Sequence, residues 1–215
     1  MKVKDRMTPN PYTISPETNL REAFSILKER NIRRLPVVER EKLIGMITRT
    51  DLYRAIPLPV LPDAFSGRDK LFTKTKVSEI MPQKPLITVH PNAYIEQAAK
   101  ILSDNKVSGL PVVNDKGKLV GIISVIDILT AFLDMLGVNQ KGTRINLHIK
   151  DNPDFLHQIT DILSHHKVMA KNMVKLVDHE DNGILVIRIN SLDYKPIVEE
   201  FKKEGIKVES VVLKN

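Results

Sequence analysis

The chain contains no cysteine. That excludes disulfides, thiolate metal sites and a cysteine nucleophile together, and it suits an intracellular protein. Tryptophan is also absent and aromatic residues make up only 5% of the 215 positions, so aliphatic side chains must build the core. No long uncharged apolar run is present: the most apolar stretch, Leu119 to Leu136, is broken by Asp127 and Asp134. A membrane span needs ~20 nearly uncharged residues, so this stretch is expected to be a strand running into a helix. The opening residues Met1 to Met7 hold no apolar segment of signal-peptide type, and a soluble, cytoplasmic protein is expected. P-loop, nucleophile-elbow and nucleophile–base patterns are missing, which argues against an enzyme. None of the six histidines (90, 148, 157, 165, 166 and 179) has metal-ligand spacing. His165 and His166 are read as helix-end residues favoured by the dipole, and Asp178-His-Glu-Asp181 as a solvated turn. No metal and no cofactor are expected.

What is present begins with charge. The net charge is +7, with 33 Lys/Arg against 26 Asp/Glu. Residues 1–56 carry 12 of those cations against 7 acids, whereas residues 141–215 carry 12 against 11. An asymmetric basic half is either a solvated surface or an attraction for an anionic ligand.

The chain also repeats itself. Val3-Lys-Asp-Arg-Met7, Thr13-Ile-Ser-Pro16, Leu35-Pro-Val-Val38 and Gly45-Met-Ile-Thr48-Arg-Thr-Asp51 recur in register. Their counterparts are Val77-Ser-Glu-Ile-Met81, Thr88-Val-His-Pro91, Leu110-Pro-Val-Val113 and Gly121-Ile-Ile-Ser124-Val-Ile-Asp127. Each copy reads as a short β segment (Tyr12–Ile14; Ile87–Val89), then an amphipathic helix. Apolar Leu20, Ala23, Phe24, Leu27 and Ile95, Ala98, Ala99, Leu102 fall at spacings of three and four. Two strands follow, with Asp115-Lys-Gly117 as one hairpin turn, and a second helix opens at Thr48 or Ser124. A unit of ~55 residues is marginal alone, so the copies are expected to pack about a pseudo-twofold axis. Pro57-Leu-Pro-Val-Leu-Pro62 and the basic stretch Ser66 to Lys76 read as a linker and surface loop, and Gly137 to Gly142 as a second boundary. The expected organisation is repeat 1 over 1–56, linker 57–76, repeat 2 over 77–136 and a further domain over 143–215.

Thr48-x-x-Asp51 and Ser124-x-x-Asp127 each follow an apolar strand and open a helix. One reading is a capping box, with the hydroxyl capping the helix and the acid reaching back to a backbone amide. The other shares that geometry: helix-start amides and the dipole hold a phosphate, the hydroxyl bonds a phosphate oxygen, and the carboxylate accepts the hydroxyls of a ribose. Gly45 and Gly121 would let a ligand or a neighbouring backbone come close. The opposite wall is expected from the segment before each Leu-Pro-Val-Val strand. In repeat 2 this is Val107-Ser-Gly-Leu-Pro111, where Ser108 and Gly109 leave room for a flat base. In repeat 1 it is Ile32-Arg-Arg-Leu-Pro36, where Arg33 and Arg34 either neutralise phosphate or fill the pocket.

On these residues both copies resemble the CBS (cystathionine-β-synthase) domain, with its hydrophobic-x-x-hydrophobic-Pro segment and its Gly-hydrophobic-x-Ser/Thr-x-x-Asp ending. The resemblance covers residues 1–135. It implies a CBS pair that binds adenine nucleotides such as AMP, ADP, ATP or S-adenosylmethionine, and that dimerises. Carried over by position, it implies phosphate contacts at Thr48 and Ser124 and ribose contacts at Asp51 and Asp127. It implies a base lined by Thr88, Val89, Val107, Ser108, Gly109 and Pro111, with Ile14, Arg34 and Pro36 in the repeat 1 counterpart.

From Thr143 the pattern becomes β-α-β-β-α-β. Strand Thr143–Ile149 precedes a helix started by Asp151-Asn-Pro153 and striped by Leu156, Ile159 and Leu163. Strands Val168–Val177 and Ile184–Ile189 flank the turn Asp178 to Gly183, and helix Tyr194–Glu204 leads to strand Ile206–Leu213. That order predicts a ferredoxin-like antiparallel sheet under two helices, in an α+β protein. This half resembles an ACT domain, a module that in its family often binds amino acids between subunits. Its usual Asp-x-Pro-Gly-x-Leu reads Asp151-Asn-Pro153-Asp154-Phe155-Leu156, with Asp154 where the family has glycine, so a dimerising or coupling role stands beside amino-acid sensing. A CBS pair followed by ACT resembles the AcuB-like (acetoin-utilisation) group. The expected function is a regulatory sensor with a nucleotide as ligand, a homodimer, and a regulated enzyme among candidate partners. The alternative is a structural or nucleic-acid-binding regulator with vestigial pockets; no helix-turn-helix or aromatic-studded basic face supports nucleic-acid binding.

Overall fold

The computed structural model describes residues 1–55, 72–83, 85–149, 154–177 and 183–214. The proline-rich linker Pro57 to Pro62, most of the basic stretch after it, the expected helix start Asp151 to Pro153 and the turn Asp178 to Asn182 lie outside those residues. The chain divides into two compact units, Met1–Ile128 and Leu129–Asn215. No helix among the described residues is long and apolar enough to cross a membrane.

In the first unit each repeat builds one helix and one hairpin around aliphatic side chains. Helix α1 (Leu20–Glu29) starts at Asn19, whose side-chain oxygen accepts the Glu22 amide at 3.0 Å, and it buries Leu20, Ala23 and Leu27. Strands β2 (Arg34–Glu39) and β3 (Lys42–Thr48) pair antiparallel, with a bulge between Val37 and Val38. Helix α2 (Arg49–Ala55) follows directly. After a short turn, α3 (Val77–Ile80), repeat 2 repeats the plan. Helix α4 (Ile95–Asp104) buries Ile95, Ala98 and Leu102, and strands β4 (Gly109–Val113) and β5 (Leu119–Ser124) carry the equivalent bulge between Val112 and Val113. Helix α5 (Val125–Met135) then begins. The helices expected to open at Thr48 and Ser124 thus begin one residue later, and both hydroxyl residues end a strand. The β segments Tyr12–Ile14 and Ile87–Val89 reduce to single parallel bridges, Ile14 to Val37 and Val89 to Val112.

The repeats exchange their leading segments. Strand β1 (Thr8–Pro9) leaves repeat 1 and pairs with β5, Thr8 opposite Ile122 and Pro9 opposite Gly121. The Met7 side chain lies on Gly121, and Met81, from the start of repeat 2, lies on Gly45. A Cβ at either glycine would occupy the methionine's volume, so the room expected for a ligand or a neighbouring backbone holds the other repeat's thioether and, at Gly121, the Thr8 backbone carbonyl as well.

The second unit contains β6 (Gly142–Ile149), α6 (Phe155–His165), β7 (Ala170–Val177), β8 (Gly183–Ile189), α7 (Lys195–Lys203) and β9 (Val208–Lys214). The sheet order is β7-β8-β6-β9, all antiparallel, which is the ferredoxin-like arrangement expected from the β-α-β-β-α-β pattern. Ile145, Leu147, Leu185 and Ile187 from the sheet meet Ile159, Ile162, Leu163, Ile197 and Phe201 from the two helices in one core. Of the stripe expected on α6, Ile159 and Leu163 are buried and Leu156 is not. Leu156 is 55% exposed, and Phe155 and Ile162 are buried instead beside Ile159 and Leu163. Spacings of four, seven and eight from Phe155 make one helical face, and Leu156, about 100° from Phe155, falls just beyond its Leu163 edge.

Candidate functional site

The two hydroxyl–carboxylate motifs have matching geometry. The Thr48 amide and hydroxyl both donate to Asp51 Oδ2, at 2.8 and 2.5 Å, and the Asp51 amide donates to Thr48 Oγ1 at 3.3 Å. In repeat 2 the Ser124 amide and hydroxyl donate to Asp127 Oδ2 at 2.7 and 2.6 Å, and the Asp127 amide donates to Ser124 Oγ at 3.4 Å. Both motifs are therefore capping boxes, with one carboxylate oxygen engaged and the aspartates only half-buried. The amides that follow are held by the chain itself: Arg49 donates to the Arg33 carbonyl at 3.0 Å and Val125 to the Ser108 carbonyl at 3.2 Å. These bonds pin the segment before each first strand to its own helix start.

Around Ser124 and Asp127 the first unit opens a cleft of about 610 Å³. Repeat 2 supplies Ile122, Ser124, Val125, Ile126, Asp127 and Ser108. The facing wall comes from repeat 1: Thr8, Pro11 and Tyr12 from the exchanged segment, and Asn31, Ile32, Arg33 and Arg34 ahead of β2. Four of the residues singled out in the sequence, Arg34, Ser108, Ser124 and Asp127, meet in this cleft, and Arg33 with them. Val107, Gly109, Pro111, Thr88 and Val89, expected to line the base beside Ser124, are not among its lining residues. Neither are Ile14, Pro36, Thr48 and Asp51. Ile14, Pro36, Val89, Gly109 and Pro111 are buried in the sheets. The difference has a physical cause: with leading segments exchanged, the wall opposite a helix start belongs to the other repeat. Ile32 belongs to the wall expected ahead of β2, whereas Tyr12 and Asn31 enter no site in the sequence, and only the repeat alignment read across copies would place them there.

The electrostatics of this cleft are set by Arg34. Its side chain is half-buried, its Nη2 donates to Ser108 Oγ at 2.6 Å, and its guanidinium lies on Gly109, where a Cβ would collide with it. Burial and then the neighbouring Arg33 cation lower the Arg34 pKa, while Asp127 opposes them. An arginine nonetheless keeps its proton. Two guanidiniums facing one carboxylate leave the cleft with a surplus positive charge, and an entering anion would relieve the Arg33–Arg34 repulsion.

Comparison with known proteins gives a consistent result. The CBS domain family matches residues 3–58 and 77–134. The crystal structure of CBSX2 in complex with AMP superposes with a TM-score of 0.50 at 32% identity, covering 62% of this chain and 96% of that one. The CBS domain pair of protein MJ0100, in complex with 5′-methylthioadenosine and S-adenosyl-L-methionine, gives a TM-score of 0.50 at 32% identity, covering 61% and 95%. A putative acetoin utilization protein (AcuB) of Vibrio cholerae gives 0.53 at 29% identity, covering 65% and 96%.

Proposed function

Because the chain belongs to the CBS domain family, we propose that it is a regulatory sensor whose Ser124–Asp127 cleft binds an adenine nucleotide through its phosphate. The observation that carries this reading is the meeting of Arg33 and Arg34 with Ser124 and Asp127 in one cleft of about 610 Å³. That volume lies within the range of small-molecule sites. Asp127 has one carboxylate oxygen committed to the cap, and a ribose hydroxyl would take the other. The arginines suit a phosphate and oppose a sulfonium, so AMP, ADP or ATP is favoured here over S-adenosylmethionine. Similarity to structures solved with AMP and with S-adenosyl-L-methionine supports adenosyl recognition. The role is regulatory rather than enzymatic, with a regulated enzyme as the downstream partner.

The second unit is assigned as an ACT-like module that couples subunits. Its support is the β7-β8-β6-β9 sheet order and the acidic, exposed Asp154 at the start of α6, which disfavours an amino-acid carboxylate there. A homodimer is further supported by the apolar exposure of α5, on which Ile126 is 63% and Leu129 52% exposed.

The test is a thermal-shift and calorimetric comparison of AMP, ADP, ATP, adenosine and S-adenosylmethionine on the full chain. A nucleotide at ~100 times its dissociation constant adds about 2.7 kcal/mol of stability. Adenosine and S-adenosylmethionine should give smaller shifts than the phosphorylated ligands. No response to any phosphorylated adenine ligand at millimolar concentration rejects the assignment.

A further inference from the structure

The second unit holds a cluster of donors that no reading of the first unit uses. His165 is the last residue of α6, His166 caps that helix, and Glu200 sits in the middle of α7. His165 Nδ1 lies 3.0 Å from Glu200 Oε1, and His166 Nε2 lies 2.6 Å from Glu200 Oε2. Among the described residues these three form the group whose ligand atoms all fall within 4.8 Å of one another.

We propose that His165, His166 and Glu200 form a site for a borderline divalent cation of the zinc class, which clamps α6 to α7. Two imidazole nitrogens and one carboxylate are the donor set such ions take, with water completing the coordination. Bonds of ~2.0–2.2 Å in a tetrahedral shell place donors about 3.3 Å apart, so small side-chain movements convert the present contacts into a coordination shell. The scaffold is fixed on both sides. Ile162 and Leu163 precede the histidines in the core, and Phe201 follows Glu200 there with no exposed surface. Ligands on packed helices hold their geometry better than ligands on loops. The site also sits where the α6 carbonyls end: Val168 donates back to Leu163 at 2.9 Å, and Lys167 turns at φ 54°. A helix C-terminus favours a cation. His166 and Glu200 are shielded, with side chains 23% and 26% exposed, whereas His165, at 75%, faces the solvent through which the ion arrives.

The experiment uses the full chain, stripped with chelator and titrated with Co2+ and then Zn2+. One equivalent of Co2+ should develop visible ligand-field absorption, and Zn2+ should displace it and raise the melting temperature. Long-range 1H–15N spectra of the wild-type protein should show Zn2+ moving His165 Nδ1 and His166 Nε2 while the other four histidines stay unchanged. Glu200→Gln should weaken binding ~tenfold or more. His157→Ala should not: it removes the exposed imidazole paired with Asp161 at 3.4 Å on the same helix. The proposal is overturned if the wild type takes up no stoichiometric Co2+, if the shifted nitrogens belong to other histidines, or if His157→Ala and not Glu200→Gln abolishes binding. Should Glu200→Gln fail to fold, the wild-type nitrogen shifts decide alone.

Discussion

Arg34 and Ser108 are joined across the two repeats: the guanidinium Nη2 of the first donates to the hydroxyl of the second at 2.6 Å, 74 positions along the chain. The same guanidinium rests on Gly109. Gly109→Ala is therefore expected to destabilise the first unit by overpacking, by about 1–3 kcal/mol. The closest obstacle is the arginine, with the Ile123 carbonyl of the paired strand a lesser one at 3.1 Å, so Arg34→Ala should recover most of that loss. Urea unfolding of the two single variants and the double variant gives the coupling. An additive cycle would mean that Arg34 is not what fills the space.

Arg34 also separates ligand charge from ligand shape. Replacing it with Gln keeps a donor for Ser108 and removes the cation. Affinity for AMP, ADP and ATP should fall, most for the ligand with most phosphate, while adenosine binding changes little. Calorimetry at two salt concentrations checks the assignment, because the charge-dependent part alone weakens with salt. Equal losses for adenosine and ATP would place Arg34 against the base instead.

The two aspartates should part company in the same assay. Both complete a capping box, so Asp51→Ala and Asp127→Ala are each expected to lower stability by about 1 kcal/mol. Only Asp127 lines the cleft with the arginines. Asp127→Ala should therefore lose the nucleotide-induced thermal shift, and Asp51→Ala should retain it. The reverse pattern would move the site to the other helix start.

Much of this was legible because it repeats. The Leu-Pro-Val-Val strands, the helices from Leu20 and Ile95 and the capping motifs appear twice, and each copy vouches for the other. The partner of each motif was not legible. Gly109 does sit opposite Ser124 in the strand ladder, but the facing wall of the cleft, with Thr8, Tyr12 and Arg34, comes from the other repeat, which no single copy shows. At Gly121 and Gly45 the sequence offers room for a ligand or a neighbouring backbone, and it does not show that Met7, the Thr8 carbonyl and Met81 take that room. The β-α-β-β-α-β order was clear from Thr143 onward. The cluster of His165, His166 and Glu200 was hidden because its third member arrives on another helix.

The phase of α6 gives a direct check on the core. Ile159 has no exposed surface and lies among Leu147, Leu163 and Phe201 in one cluster. Ile159→Ala should cost about 2–5 kcal/mol, whereas Leu156→Ala, at an exposed position, should stay within about 0.5 kcal/mol. Equal effects would restore the stripe through Leu156, Ile159 and Leu163.

Glu200 ties the second unit's stability to pH even without a metal. Hydrogen bonding from His165 is the largest effect and holds its carboxyl below the ordinary glutamate value; burial opposes it, and hydrogen bonding from His166 adds to the lowering. A carboxyl with a depressed folded-state pKa contributes stability that is fully present above its unfolded value. That contribution is lost as the pH falls through the folded value. The ordinary glutamate pKa is about 4.3. In the presence of chelator, wild type and Glu200→Gln should therefore differ most in melting temperature at neutral pH. The gap should close as the pH drops below the ordinary glutamate range, where the carboxylate takes up its proton. Curves that run parallel from neutral pH into acid would show that the carboxylate charge contributes nothing there, leaving His165 and His166 packed against α7 for their shape alone.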